Sequence, residues 1–500
     1  MLSKISIIQD VENNNTLGTA TESLLEASVK ALPESIDIAA WIRFVKELGI
    51  AKLFAKLPDG RQLSKTKYPF SSLALWAFSA HAFRLGSKNA LQTSLEDLSS
   101  QQRQGMLNLL NLKEDTLPHS STVDAALAKI PLEELSQIPL QLLEQLQGRK
   151  FFYNHAHLLP SNALQIGVDG FWLHTYDRPH ATDDNGQNVC PYCLPRTRFA
   201  GTEKENTYYV HVLVTFVLIC PGLTLPLLAY PLKVGQVDLQ QPDKEFKEEC
   251  ELKAVHAVLP MIRRRFPRTD ILFLGDALYA NRPMLRLLKE LNIDCLIVFK
   301  DYPLRKLDQK CEELSLIELY QKHHTCRAKE VCDHKTVHRQ AAWFNKVDAG
   351  EGVMTNVLRY CEVTFNKDGT QFSEYKGAWI CSKRITPGNC FSTAQTARMR
   401  WEHEDLHNTL KNRGFNIKHD MARANPQLLF AWKMMSMIAY FVFELFLCTT
   451  AAQLARRTRS AMKFAKDMLQ QLINISWDVI SQSPCLSKPR VQFRYRFNVP

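Results

Sequence analysis

The chain has 500 residues, 45% apolar and 23% charged, which excludes a dominantly disordered protein and is too long for a single compact core. Lys and Arg outnumber Asp and Glu by 62 to 51, and the net charge of +11 favours a polyanionic partner without proving one. Thirteen cysteines at irregular spacings, and a start holding Lys4, Asp10 and Glu12, argue against a disulfide framework and a secretory signal, so a cytoplasmic protein with reduced thiols is expected.

Residues 20–150 predict helices throughout. Apolar side chains cluster at helical spacing in Leu24, Leu25, Ala27 and Val29, in Leu73, Leu75, Trp76 and Phe78, and again from Leu132 to Leu146, where Pro139 is expected to kink or divide the run. Pro118, His119, Ser120, Ser121 and Thr122 put capping side chains before Val123, a helix start found in helix-turn-helix units and equally in any helical bundle. After Lys150 the texture changes to β-rich apolar runs, and strands are predicted at 164–168, 208–219 and 223–232. A helix over 243–266, a strand over 271–274, a helix near 283–291 and a strand over 295–299 follow. Such alternation implies an α/β layer with a partly parallel sheet.

Residues 302–375 read as an insertion containing a strand near 353–365, before a strand at 378–381 and one long helix over about 393–412. Residues 428–449 are apolar enough for a bilayer span, but Lys433, Ser436 and Glu444 interrupt them, so a buried core helix and no membrane association is expected. The tail, 455–500, carries Arg456, Arg457, Arg459, Lys463, Lys466, Lys488, Arg490, Arg494 and Arg496 against Asp467 and Asp478, an excess suited to phosphate contact or to a solvated face.

Two aspartates follow apolar runs: Asp169 after Ile166, Gly167 and Val168, and Asp276 after 271–275. Both are expected at strand carboxyl ends, the edge of an open α/β sheet where ligands gather, although a lone aspartate there also serves as an ordinary turn or cap. Arg400, Glu404 and Lys411 fall on one helical face, since offsets of 4 and 11 residues return to within about 40° at roughly 100° per residue. His407 joins that face and Glu402 points away, so Glu404 is the better third acid, although a salt-bridge ladder would place the same residues. Three carboxylates brought together repel and raise one another's pKa unless a divalent ion neutralises them. Their hard oxygens suit Mg²⁺ or Mn²⁺, and two such ions about 3.5–4 Å apart can drive in-line displacement at phosphorus. Arg400 and Lys411 would hold the phosphates of the scissile strand.

This order of elements, with its insertion and its glutamate helix, resembles the DDE transposases of bacterial insertion sequences, whose catalytic core is RNase H-like. Their helix signature runs Tyr, two residues, Arg, three residues, Glu, six residues, Lys. The chain matches Arg, Glu and Lys at Arg400, Glu404 and Lys411, and Trp401 is also similar, whereas Ala397 stands where Tyr is expected. The resemblance covers roughly residues 160–440. It implies an α/β fold with an RNase H-like mixed sheet and a β-containing insertion, and Asp169, Asp276 and Glu404 as a catalytic triad holding two Mg²⁺. It also implies a tryptophan between the second Asp and the Glu that stacks on a flipped base, for which Trp343 is the first candidate and Trp379 the second, although a core tryptophan is the commoner fate for either. The domains would then be 1–150, an all-α region binding DNA ends; 151–440, the catalytic domain with its insertion at about 302–375; and 441–500, a basic helical region. The implied partners are double-stranded DNA at transposon ends and target, with a homodimer assembled on it, on the bacterial nucleoid.

Two other signals compete. His403, Glu404 and His407 form an H-E-x-x-H pattern, as in zinc metalloproteases, with Glu444 a conceivable third ligand; the extended metzincin form fails because Leu410 and Arg413 stand where Gly and His are needed. Cys190 and Cys193 have the spacing of half a Zn²⁺ site, to which Cys326, Cys332 and His334 could add the remainder, and Arg196 and Arg198 nearby would suit a DNA-facing knuckle. A transposon-derived DNA-binding protein without catalysis is a third class that would keep the same acids.

Overall fold

The computed structural model describes residues 37–159, 161–234, 250–300, 304–332, 335–422, 425–456, 458–487 and 493–497. The apolar cluster at Leu24–Val29, the first part of the helix expected over 243–266, His334, Arg457, Lys488 and Arg490 lie outside these residues.

A ten-stranded mixed sheet organises the chain. Strand β1 (Leu164–Tyr176) pairs antiparallel with β3 (Asn206–Cys220), and β3 pairs antiparallel with both the short β2 (Leu194–Arg198) and β4 (Leu223–Pro231). On its other edge β1 runs parallel to β5 (Ile271–Gly275), which runs parallel to β6 (Asp294–Val298). The order β4-β3-β1-β5-β6, with three antiparallel strands followed by two parallel to β1, is the arrangement of an RNase H-like sheet. The near-continuous burial of β3, β4 and β5 is what strands covered on both faces require.

The insertion continues this sheet. Strands β7 (Thr325–Cys332), β8 (Lys335–Asp348), β9 (Met354–Phe365) and β10 (Gln371–Cys381) form an antiparallel meander, and β10 docks on β6 through Trp379↔Val298, Ile380↔Ile297 and Cys381↔Leu296. The strand expected at 378–381 is therefore the end of a much longer one. Docking covers the otherwise open edge of β6, whose unpaired backbone groups would be a pairing hazard.

Three local expectations change. Strand β1 does not stop at Val168 but runs on to Tyr176, because β3 supplies hydrogen bonds along its whole length after β5 has ended. Strand β2 carries no long apolar run and was not expected from the sequence. The helix expected over 393–412 is two helices, Cys390–Arg398 and Trp401–Asn412, joined by a turn at Met399 and Arg400.

The helix Pro426–Leu447 is long and apolar enough to cross a membrane, yet 94% of its apolar window is buried within the protein. It packs against β4 and against the helix Phe70–Ala82, which is itself buried on nearly every side. Its charged groups and Trp432 are satisfied internally, whereas the buried Ser436 hydroxyl has no hydrogen-bond partner among the described residues. Lys433 donates to the His419 carbonyl, Arg84 pairs with Glu444 at 2.7 Å, and Trp432 Nε1 donates to Asp124 at 2.9 Å. The helix expected after residues 118–122 spans Ser120–Leu127, capped by the His119 side chain. The helix Ala461–Asn474 packs on Asp37–Leu48 and Ser100–Leu109, and Gln471 Oε1 accepts from Ile38 N at 3.0 Å. Arg459, one of the basic tail residues expected to meet phosphate, is instead held by Asp37 at 2.9 Å and Asp467 at 3.0 Å.

Candidate active site

Parallel pairing of β1 with β5 ends at Gly167↔Leu274. Continuing that register by two residues brings Asp169 opposite Asp276. Asp169 is thus inside a strand and not after one, but it lies where β1 has outrun its parallel neighbour, so the expected sheet edge is there. Asp276 follows β5 directly and caps a short 3₁₀ turn, its Oδ1 accepting from Leu278 N at 2.9 Å.

The glutamate helix, Trp401–Asn412, crosses β1 and β3 at this point. Its approach is permitted by Gly167, where a Cβ would lie 2.6 Å from Ile219 Cδ1 and 3.2 Å from His403 Nδ1. Buried His403 and His407 anchor it: their Nε2 atoms lie 2.8 and 3.0 Å from Thr215 Oγ1, which donates to the Asp169 carbonyl at 3.2 Å. With the hydroxyl hydrogen assigned to the Asp169 carbonyl, both rings donate to Thr215 Oγ1 from Nε2. Burial holds His403 well below the usual imidazole range, and burial with Lys411 nearby pushes His407 down to about 3. The neutral His407 ring stands with Nδ1 3.9 Å from Asp169 Oδ2.

From the turn that caps this helix Arg400 donates to Glu404 at 3.0 Å, and on the helix itself Lys411 lies 5.0 Å over the Phe171 ring. Burial, and then Lys418, lowers the Lys411 pKa, while the charge of Asp169 opposes that shift. The Asp169 carboxyl is pushed up to about 6, chiefly by burial and next by Asp276; Glu404 adds to the rise and Arg400 opposes it. The three acids named from the sequence therefore share one electrostatic environment. Their oxygens are not all within 4.8 Å of one another, since among the described residues only Cys190, Cys193 and His211 form so tight a group.

A fourth acid was missed. Glu251, in the first turn of the helix Glu251–Arg265, is pushed up to about 7 by burial and then by Asp169 and Asp276. Its carboxylate fills the space left by the missing side chain of Gly170 and lies beside the buried Tyr279. An acid at a helix start is ordinary dipole chemistry, so nothing in the sequence singled it out; Gly170, next to Asp169, was the one available hint.

Other expectations are corrected. Trp343 and Trp379 are each only 2% exposed and pack within the sheet, so neither is placed to stack on an extruded base. Trp401 is 57% exposed at the start of the glutamate helix, and Arg400 lies 5.6 Å from its ring. The two histidines of the H-E-x-x-H pattern are turned onto Thr215, and Glu444, the suggested third ligand, is paired with Arg84. Cys326 lies beside Cys390 and does not join Cys190 and Cys193, whose thiols face His211 on β3.

No protein-family model matches the chain, and no curated protein matches it.

Proposed function

We propose that this chain is a DDE-type DNA transposase, cutting and joining phosphodiester bonds at transposon ends with Asp169, Asp276 and Glu404 as its metal-holding acids. The observation that carries this reading is the register of β1 against β5, which sets Asp169 beside Asp276 under a helix presenting Glu404, Arg400 and Lys411. The donor set fits divalent cations. It consists of hard carboxylate oxygens, and the Asp169 carboxyl is pushed up to about 6 first by burial and next by the neighbouring Asp276, a repulsion that a divalent ion would relieve. Two Mg²⁺ or Mn²⁺ ions bound there would supply activation of the attacking water or 3′-hydroxyl and stabilisation of the leaving oxygen.

The chain's own residues set the remaining conditions. Arg400 holds Glu404 in place, and Lys411 stands near Asp169 to take a phosphate of the scissile strand. Thr215, His403 and His407 lock the helix to β3 and add no charge, so the local field is left to the acids and the two basic residues. The exposed ring of Trp401 offers a surface for the DNA, and two protomers would pair the two ends.

The test is strand cleavage of duplexes carrying the inverted repeats that flank the coding region, with Mg²⁺ present. D169N, D276N and E404Q should each lose more than about a hundredfold in nicking while still binding DNA. Nicking that survives all three substitutions overturns the site. End binding without nicking by the unaltered chain would favour a transposon-derived DNA-binding protein, and zinc-dependent caseinolysis a protease.

A further inference from the structure

The geometry points to a structural Zn²⁺ site made by Cys190, Cys193 and His211, with His180 closing the fourth position. It is separate from the acidic site. His211 lies four residues before Thr215 on β3, about 14 Å along a strand at roughly 3.4 Å per residue.

The two thiols and the imidazole come together through the sheet register. Leu194 pairs with Val210, so the next positions outward bring Cys193 opposite His211, and the turn between Cys190 and Cys193 swings the second thiol onto the same ring. Cys190 Sγ lies 3.6 Å and Cys193 Sγ 3.2 Å from His211 Nε2. Zn–S bonds of about 2.3 Å and a Zn–N bond of about 2.0–2.1 Å at tetrahedral angles put sulfur and nitrogen about 3.5 Å apart, so an ion fits between these atoms with small adjustment. All three side chains are buried, and the ligand atoms lie within 4.8 Å of one another.

The surroundings are those of a closed site. His180 N donates to Cys193 Sγ at 3.1 Å, the kind of backbone contact that steadies a metal-bound thiolate, and the His180 ring is stacked on His211 with centroids 5.2 Å apart. The His180 side chain would have to rotate out of that stack for a ring nitrogen to reach the ion. The aromatic ring of Phe430, from the long core helix, closes the other side at 5.6 Å from His211 and 4.6 Å from Tyr192.

The site would staple the excursion between β1 and β2 to the centre of the sheet. That excursion is a run of turns and bends with one isolated bridge, Thr182↔Asn188, so a metal crosslink gives it the fixed shape that its own backbone bonding provides only weakly. It also sets the start of β2, which carries Arg196 and Arg198.

The test is metal content of the full-length protein purified without chelators, followed by exchange of zinc for Co²⁺. One zinc per chain is expected. The Co²⁺ form should show thiolate-to-metal charge transfer and the intense ligand-field bands of a tetrahedral site. C190S, C193S and H211A should each abolish stoichiometric binding, and H180A should weaken it more than tenfold. Misfolding of those variants is separated from ligand loss by stripping zinc from the unaltered protein and adding it back, which should restore both the metal count and the protease resistance of residues 177–193. Less than a tenth of an equivalent of metal after zinc reconstitution, or a Cys190–Cys193 disulfide in protein isolated under reducing conditions, overturns the site; unchanged Co²⁺ bands in H180A overturn the fourth ligand.

Discussion

Gly170 leaves the room that the Glu251 carboxylate fills: a Cβ at position 170 would lie 1.9 Å from Glu251 Oε1. The atom displaced by Gly170→Ala is the far end of a flexible side chain and not backbone, so folding should lose less than about 1 kcal/mol. The glutamate must nevertheless leave the acidic cluster. Urea unfolding should therefore barely change while Mg²⁺ affinity shifts severalfold, and Glu251→Gln should reproduce the shift. A change in stability without a change in metal affinity would show that Glu251 is only a neighbour.

The raised Asp169 pKa makes folding stability depend on pH. A carboxyl at about 6 in the folded chain against an ordinary 3.8 binds its proton more tightly when folded, so its stabilising effect is complete below about pH 4 and is lost as pH rises through about 6. Asp169→Asn should remove that slope and raise metal-free stability at pH 7.5 by on the order of 1 kcal/mol, a figure reduced for the solvent that reaches the side chain. Melting curves of both forms between about pH 4 and 8 check this; parallel curves would contradict it.

Metal uptake should release protons. With Asp169 at about 6 and Glu251 at about 7, Mg²⁺ binding near pH 6.5 must displace hydrogen ions, whereas above about pH 8 both groups are already ionised. Isothermal titration in buffers of different ionisation enthalpy measures the number released. No difference between those buffers near pH 6.5 would remove these acids from the metal site.

Arg84 is 2% exposed, bonds to Glu444 and the Arg413 carbonyl, and lies between the rings of Phe415 and Phe443. Arg84→Ala would strand a carboxylate that is only partly exposed, in a largely apolar setting, and should cost about 3 kcal/mol, the low end for a broken buried pair because some solvent reaches Glu444. The pair Arg84→Met with Glu444→Met should recover most of that loss, because an apolar pair of similar length has no charge to desolvate. Chemical denaturation of the single and double variants decides it.

If Lys411 meets a backbone phosphate, Lys411→Ala should weaken DNA binding about equally for all sequences and lower the salt slope by about one counterion. Binding titrations at several salt concentrations give the slope. An unchanged slope would assign Lys411 to packing over Phe171.

Much of this protein was legible before any contact was known. Strands β3 to β6 are apolar runs bounded by polar residues, and that local chemistry specifies them; position and spacing made Asp169, Asp276, Arg400, Glu404 and Lys411 candidates, each with an ordinary turn, cap or salt-bridge alternative, and only the family resemblance joined them into one site. Tertiary structure decided which groups meet. Whether Asp169 faces Asp276 depends on the β1–β5 register, whether Trp343 is a ligand or core depends on what covers β8, and whether the paired histidines hold metal depends on the hydroxyl of Thr215, 188 residues before His403. Glu251 and His211 carry no distinguishing local pattern; Glu251 is drawn into its cluster by the vacancy at Gly170, and His211 by the pairing of β2 with β3. Hydrophobic periodicity acts over a few residues and can be read along the chain, whereas burial, charge repulsion and ligand geometry arise only when distant segments share the same space.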